Sequence, residues 1–418
     1  MQPEYAVIVG KGAREHALVW GLKESSRFKE IFAMPGNPGI SQIAQCLPYR
    51  DTEEIVAWAM DKSPMLVVVG PENPLAEGIV DRLREAGHWV IGPEQRAARL
   101  ESSKSFAKSV MERYGIPTPR AMRFDNLKAL ENAISIETQW PHVLKQSGLA
   151  GGKGVVIVET PSQALQIARE WSVQDNLLAQ GILWEDYLEG KEISVHVLTN
   201  GKDYVWLPLT RDYKRATPDL NAPNTGGMGA FGPVTDITPE VRTVINEKIL
   251  EPLMQFLQDD NLFYHGVLYV GIMLTHLGPM VLEFNVRMGD PEAEVLIPLL
   301  PIDWGACWLG LAQGNLPSIV EPESRAAVAV VLADSGYPLE VKGSQEIILP
   351  KTPEGLIFHG STQQSGDGTV LQAQGGRIVT VVGRDSSLLG ARDQAYRTIR
   401  QIIAPDTQFR HDIAADTE

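Results

Sequence analysis

The sequence predicts an α/β protein: a doubly wound parallel sheet first, then a larger middle part carrying a small mobile flap, and last a small β-rich domain. Three observations predict it. Four short apolar runs, Ala6 to Val9, Ile31 to Met34, Leu66 to Val69 and Trp89 to Ile91, alternate with helix-like stretches such as Glu15 to Glu24 and Ala76 to Ala86, the pattern of a parallel sheet covered on both faces. A glycine-dense segment, Lys145 to Gly154, joins one apolar run to another. From RAAVAVVLA onward the chain reads as strands that close in one helix near Ser387 to Ile402. The expected boundaries are 1–101, 102–322 with a flap over 118–190, and 323–418.

Along the chain, three of the four N-terminal strands end in glycine- or proline-bearing turns, GKGARE, PGNPG and GPENPL, and open α/β sheets bind ligands at such carboxyl ends. A helix, SSKSFAKSVMERYG, and an IPTP linker follow. The flap contains PHVLK, VVIVET and LWEDYLEG. Beyond it come a strand pair around ISVHVLT and YVWLPLT, the loop PNTGGMGAFGP, and a helix with Thr238 as N-cap and Pro239 at its first position. Two strands, GVLYVGIML and PMVLEFNVR, then flank a turn at Gly278.

At 418 residues the chain exceeds what one core usually serves, so several subdomains are expected. A net charge of −15 argues against a broad nucleic-acid or membrane surface, although a pocket inside can still be basic. Cys46 and Cys307 stand far apart and offer neither a disulfide framework nor a zinc site. No leader pattern opens the chain and no apolar run reaches the ~20 residues of a membrane helix, so a cytoplasmic protein is expected.

The glycine loops carry the chemistry. GKGARE resembles a dinucleotide fingerprint, but Glu15 holds its third glycine position, and Pro35, Gly36 and Asn37 follow the second strand where an acid would meet a ribose. A dehydrogenase is disfavoured. What remains is a turn whose N–H groups and helix N-terminus suit one phosphate, or a purely structural turn. KQSGLAGGKG falls short of a Walker loop: it joins strand to strand, and Gly154 stands where Ser or Thr would meet Mg²⁺. Its glycines and Lys153 suit a lid over phosphates, with Lys145 as a fixed cation; a plain flexible turn is the bland alternative. WEDYLEGKE offers backbone and Leu188 to a base and Glu192 to ribose hydroxyls, or is an ordinary acidic strand end. PNTGGMGAFGP is too long and glycine-dense for a tight turn, and Asp212, Lys214 and Arg215 lie just upstream. Together they suit an anionic, amine-bearing substrate. The histidines form no catalytic pair with a nucleophile, and His16 stands in the first turn.

The most informative stretch is PMVLEFNVRMGDPEAE, Pro279 to Glu294. Alternation along a strand puts Glu283, Asn285 and Arg287 on one face and Leu282, Phe284 and Val286 on the other. A carboxylate and an amide oxygen suit a hard cation such as Mg²⁺, and a guanidinium suits a carboxylate or phosphate. A half-exposed strand with a polar outer face has the same period.

Taken together, GKGAREHA, MPGNPG, VVGPENPL, LESSKSF, GLAGGKGV, EDYLEGKE, PNTGGMGA, LYVGIM, EFNVRMGDPE, GGRIVTVVG and FRHDIA, in this order, resemble the ATP-grasp ligases and within them the phosphoribosylamine–glycine ligases. The resemblance spans nearly the whole chain. It implies an ATP-grasp middle domain and a reaction in which ATP phosphorylates the glycine carboxylate and the amine of 5-phosphoribosylamine attacks the acyl phosphate. It implies ATP and Mg²⁺ or Mn²⁺ as cofactors, with Glu283 and Asn285 on the metal. Lys104, Lys145, Gly151, Gly152, Lys153 and Gly154 would face the phosphates, Glu185, Asp186 and Leu188 the adenine, and Glu192 the ribose. Arg287, Asp290, Glu292, Asp212 and Lys214 would line the acyl-transfer site. Gly10, Gly12, Arg14, Glu15, Gly36 and Asn37, with Asn224, Thr225, Gly226 and Gly227, would receive the substrates. The implied partners are small molecules, with no nucleic acid or membrane, in a monomer or homodimer.

The chain departs from the family pattern in places. KADG is KQSG here, which puts Ser147 in place of an acid; QDHK is RDYK, with Arg211 and Tyr213; Val286, Met288 and Glu294 are also changed, and the GNGGREHA loop is GKGAREHA. Two other readings stay open: an ATP-grasp ligase joining another amine to another carboxylate, and a nucleotide-binding protein without turnover.

Overall fold

The computed structural model describes residues 3–149, 154–173, 180–219, 222–320, 323–343, 345–366, 368 and 370–415. Its N-terminal strands, Tyr5–Gly10, Glu30–Pro35, Leu66–Val69 and Trp89–Pro93, pair in parallel, with a short fifth, Gln45–Cys46, on the outer edge. Val-, Ile- and Ala-rich strands buried on both faces make this the natural arrangement. The sheet does not stop there. Gly92 and Pro93 pair antiparallel with His265 and Tyr264, so Tyr264–Thr275 and its neighbours Lys191–Thr199, Tyr204–Trp206 and Gly278–Asn285 extend it to nine strands.

The flap is its own small layer: strands Ala121–Phe124, Ile182–Asp186, His142–Gln146 and Val155–Val158, with helices Leu127–Ile136 and Pro161–Ser172 on one face. Asn126 and Thr160 cap these helices through their side chains. Leu130, Ile134, Leu144, Ala164, Trp171 and Trp184 form a core separate from the rest of the molecule.

A six-stranded sheet carries the C-terminal part. Its central strand, Ala326–Asp334, pairs with Arg377–Asp385 on one side and with Gly229–Gly232, from the glycine loop, on the other. Helix Leu388–Ile399, capped by Ser387, covers it. Among the described residues no single helix is long and apolar enough to cross a membrane.

Several expectations shift. The stretch from Ala76 to Ala86 is broken by Gly78, whose φ of +81° separates helices Glu72–Ala76 and Ile79–Glu85. Before the linker stand two helices, Gln95–Ser102 and Lys104–Arg113, because Ser103 leaves helical geometry to cap the second. The YVWLPLT strand is short, Tyr204–Trp206.

Candidate active site

The flap, the antiparallel end of the large sheet and the glycine loop enclose a cavity of about 380 Å³. One end is apolar: Val143, Val155 and Ile157 come from the flap strands, Met111 from helix Lys104–Arg113, and Leu282 and Phe284 from strand Gly278–Asn285. The other end is charged, lined by Glu283, Asn285, Arg287, Asp290, Glu292, Asp212 and Lys214. Lys104, Lys145, Gly154, Glu185, Asp186, Leu188, Glu192, Asn224, Thr225, Gly226 and Arg14 complete the expected residues on its wall. Gly151, Gly152 and Lys153 lie outside the described residues.

The strand of Glu283 differs from the simple alternation. It ends at Asn285, and a bulge sets Gly271 opposite Glu283 but Ile272 opposite Val281, leaving Leu282 unmatched. Leu282 therefore faces the cavity, and its carbonyl accepts from Lys145 Nζ at 3.0 Å. Arg287 lies past the strand and is tied to the protein: its Nη2 donates to Glu101 at 2.6 Å and to Asn285 Oδ1 at 3.1 Å. Glu101 in turn accepts from Val286 N–H at 2.8 Å, so a carboxylate that the sequence does not single out positions the guanidinium.

At the apolar end, Glu185 is buried on the cavity wall. Its carboxylate sits between Lys145 at 2.8 Å and Lys108 at 3.1 Å. Lys108, absent from the expected set, also donates to Thr118 Oγ1 and the Pro119 carbonyl, which ties the linker to the flap. Burial, only partly offset by Glu185, lowers the Lys108 ammonium to about 8. Burial likewise pulls Lys104 down, against the attraction of Glu283; its ammonium donates to Gly148 O at 3.1 Å.

At the charged end, burial alone would raise Glu283, but Lys214, Lys145, Lys104 and Arg287 hold it at about 2. Lys214 lies 3.5 Å from both Glu283 and Glu192. Burial and the facing Glu292 raise Asp212 well above the usual carboxylate range. Glu292 accepts from Ser194 Oγ at 2.9 Å, and Ser194 lies 3.2 Å from the hydroxyl of Tyr269, which also lines the cavity. Tyr269 stacks on the buried His196, whose Nε2 accepts from Gly289 N–H. Sequence reasoning passed over Tyr269 and His196 because their neighbours are apolar strand residues.

An ionised carboxylate and an amide oxygen are hard donors of the kind Mg²⁺ and Mn²⁺ take. Asn285 Oδ1 keeps a second lone pair beyond its bond to Arg287. Among the described residues no group of three or more His, Cys, Asp and Glu gathers into a metal cage. A site with so few protein ligands suits an ion that shares its shell with phosphate oxygens.

The phosphate turn stands mostly apart from this wall. Of its expected residues only Arg14 lines the cavity. Glu15 crosses the helix N-terminus, and its Oε2 accepts from Gly12 N–H at 2.6 Å where an outside anion was expected. Gly10, Gly12 and Gly70 leave the space that this side chain fills. Arg14 Nε pairs with Glu15 at 2.6 Å. Asn37 donates to the Lys11 and His359 carbonyls and accepts from Ile40 N–H, while Gly36 packs on Cys46. His16 faces His359 rather than a ligand, accepting from its N–H at 2.9 Å. Gly227, with φ of +109°, backs onto Asp212 and Pro291 behind the wall.

None of the departures from the family pattern lines the cavity. Ser147 bonds Ser105 Oγ at 2.8 Å, Arg211 pairs with Asp236 at 3.1 Å, and the Tyr213 hydroxyl accepts from Ala414 N–H. Val286, Met288 and Glu294 are buried. Burial and Asp290 raise the Glu294 carboxyl well above its ordinary value.

Comparison with known proteins agrees in extent and order. The family descriptions "Phosphoribosylglycinamide synthetase, N domain", "ATP-grasp (A) domain" and "C domain" match residues 5–101, 102–293 and 327–416. The phosphoribosylamine–glycine ligase of Caldanaerobacter subterraneus is 38% identical over 415 residues, covering 98% of this chain and 99% of that one. The crystal structure of the phosphoribosylamine–glycine ligase of Thermotoga maritima superposes with a TM-score of 0.85 at 32% identity, covering 98% of this chain and 100% of that one. The biotin carboxylase domain of Hydrogenobacter thermophilus 2-oxoglutarate carboxylase, solved with MgADP, shares the fold, with a TM-score of 0.74 at 16% identity, covering 98% of this chain and 92% of that one.

Proposed function

The chain belongs to the phosphoribosylglycinamide synthetase family, and we propose that it is the ATP-dependent ligase of purine biosynthesis that joins glycine to 5-phosphoribosylamine. The products are glycinamide ribonucleotide, ADP and phosphate, formed through a glycyl phosphate. One observation carries this reading: a single cavity has an apolar, lysine-bearing end and an end of buried paired charges, while the motif departures named above lie off its wall.

The apolar slot between Val143, Val155, Ile157, Leu282 and Phe284 takes the adenine. Lys145 is held between Glu185 and the Leu282 carbonyl, so its ammonium is fixed before the triphosphate arrives and no reorganisation is needed on binding. Lys104, at the same end, adds positive charge beside the phosphates. Glu283 and Asn285 would hold Mg²⁺ or Mn²⁺, which when bound screens the repulsion between the two anions.

Glycine meets the Asp212, Lys214, Glu292 and Asp290 group, where its ammonium finds carboxylates and its carboxylate finds Lys214. A glycine carboxylate oxygen attacks the γ-phosphorus, the bond to the βγ-bridging oxygen breaks, and ADP leaves as the acyl phosphate forms. The amine of phosphoribosylamine then attacks the acyl carbon and phosphate leaves; the proton lost from nitrogen passes to a nearby carboxylate of this group. The enclosing flap keeps water from the acyl phosphate. The ribose phosphate lies toward Arg14, the residue of the first turn that reaches the wall.

The test is a coupled assay with ATP, glycine and freshly generated phosphoribosylamine, with the product identified by mass. Formation of glycinamide ribonucleotide dependent on all three is expected. ATP turnover with other acids and amines but not with these would overturn the substrate assignment.

A further inference from the structure

We propose that Arg377, which reaches the cavity from the C-terminal domain, is a positioning residue for transfer of the glycyl group to the amine; this rests on the reaction proposed above. Among the described residues it is the one cavity-lining side chain that comes from beyond residue 323. Its Nη1 donates to the Gly226 carbonyl at 2.7 Å and to the Asp290 carbonyl at 2.9 Å, and also lies 2.9 Å from Asp290 Oδ1. One guanidinium thus joins the glycine loop to the loop that carries Asp290 and Glu292.

A second C-terminal side chain completes the grip. The Tyr337 hydroxyl accepts from Gly226 N–H at 2.9 Å, so side chains of the C-terminal domain take both the N–H and the C=O of Gly226. The Tyr337 turn is itself built: the buried Asp334 accepts from Gly336 N–H at 2.8 Å and from Lys342 N–H at 3.2 Å. Gly226 has little room for a side chain, since a Cβ would stand 3.2 Å from the Arg377 guanidinium carbon and 3.3 Å from the Tyr337 hydroxyl. The next residue, Gly227, lies against Asp212, where a Cβ would stand 2.9 Å from Oδ1. Gly226 is thus one residue from the backbone that packs on Asp212, a group whose charge is felt by Glu292.

The contacts are confined to the charged end. Arg377 makes no hydrogen bond or ion pair with the described nucleotide-end residues Lys104, Lys108, Lys145 or Glu185. It is placed to govern where the acyl acceptor meets the acyl carbon rather than how the triphosphate is held. Misplacing reacting groups by about an ångström costs about 100-fold in rate.

The test separates the two half-reactions. Positional isotope exchange in ATP labelled at the βγ-bridging oxygen, with glycine and no amine, reports formation of the acyl phosphate; mass detection of product reports ligation. In Arg377→Ala, exchange should stay within about 3-fold of wild type while ligation falls about 100-fold with a raised KM for the amine. Arg377→Lys should recover part of the loss, since it keeps the charge facing Asp290. Tyr337→Phe, which removes one acceptor, should show the same split at about 5-fold, and it decides the matter if Arg377→Ala does not fold. Wild-type ligation in these variants, or exchange and ligation falling in equal proportion, overturns the positioning role. Absence of glycine-dependent exchange and of product in the wild-type enzyme overturns the proposed reaction instead.

Discussion

The turn after the first strand and the loop around Gly226 are both rich in glycine, yet they treat their polar groups in opposite ways. In the turn, Gly12 N–H and Arg14 meet Glu15, and Asn37 spends its amide on backbone groups. Around the loop and the adjoining strand, Asp212 Oδ1 and Asn285 Nδ2 are buried without a hydrogen-bond partner among the described residues. A buried group left unmet costs about 1–3 kcal/mol, and one that lines a cavity can regain that cost from a bound ligand. Glycine shows where backbone passes closely; unmet hydrogen bonds on a cavity wall show which groups a ligand can meet.

The sharpest way to break this contrast is Glu283→Ala. The rate of ligation should fall about 1,000-fold or more, with circular dichroism and melting near wild type. A wild-type rate would move the reactive end elsewhere.

Acid probes the satisfied side. Burial, with His359 adding repulsion, lowers His16 to about 3, and burial lowers His359 to about 4, so both are neutral in the fold. Between the ordinary value near 6.5 and these values the unfolded chain binds more protons than the native one. Stability is then complete above pH ~6.5 and falls as pH falls, by up to about 5 kcal/mol near pH 4.5. Urea midpoints across this range measure it, and His359→Gln should flatten the slope; a slope equal to wild type would show that the pair is not the cause.

Asn37→Ala sharpens the contrast further. Removing three hydrogen bonds should lower stability by about 1–3 kcal/mol while the KM for ATP stays within about 2-fold. Loss of substrate binding at unchanged stability would place the turn in the site. The smallest effects belong to Ser147→Ala and Arg211→Gln, whose side chains bond away from the cavity: kcat/KM should change by less than about 3-fold. A larger change in either would mean that these departures reach the substrate.

The alternating strands and helices of the N-terminal sheet were legible because each element carries its own period, and the flap hairpin because glycines separate two apolar runs. The charged wall was legible too, since Glu283, Asp290 and Glu292 cluster in one short stretch. What escaped was what distant segments do to one another. Glu101 clasping Arg287, Lys108 sharing Glu185 with Lys145, and Arg377 meeting Asp290 each join residues far apart in sequence. The bulge at Leu282 is equally silent in the sequence, because an apolar residue in an apolar strand leaves no mark when its register slips.

The ladders also ignore the segment borders that motifs suggest. Gly229–Gly232 is hydrogen-bonded to Ala326–Asp334, and Tyr264 and His265 to Pro93 and Gly92. Dividing the chain at either border would bare sheet edges on both fragments, and bared edges seek other chains. Fragments made apart should be sticky until mixed, whereas a foreign peptide spliced into the exposed turn at Leu277 should leave the whole intact.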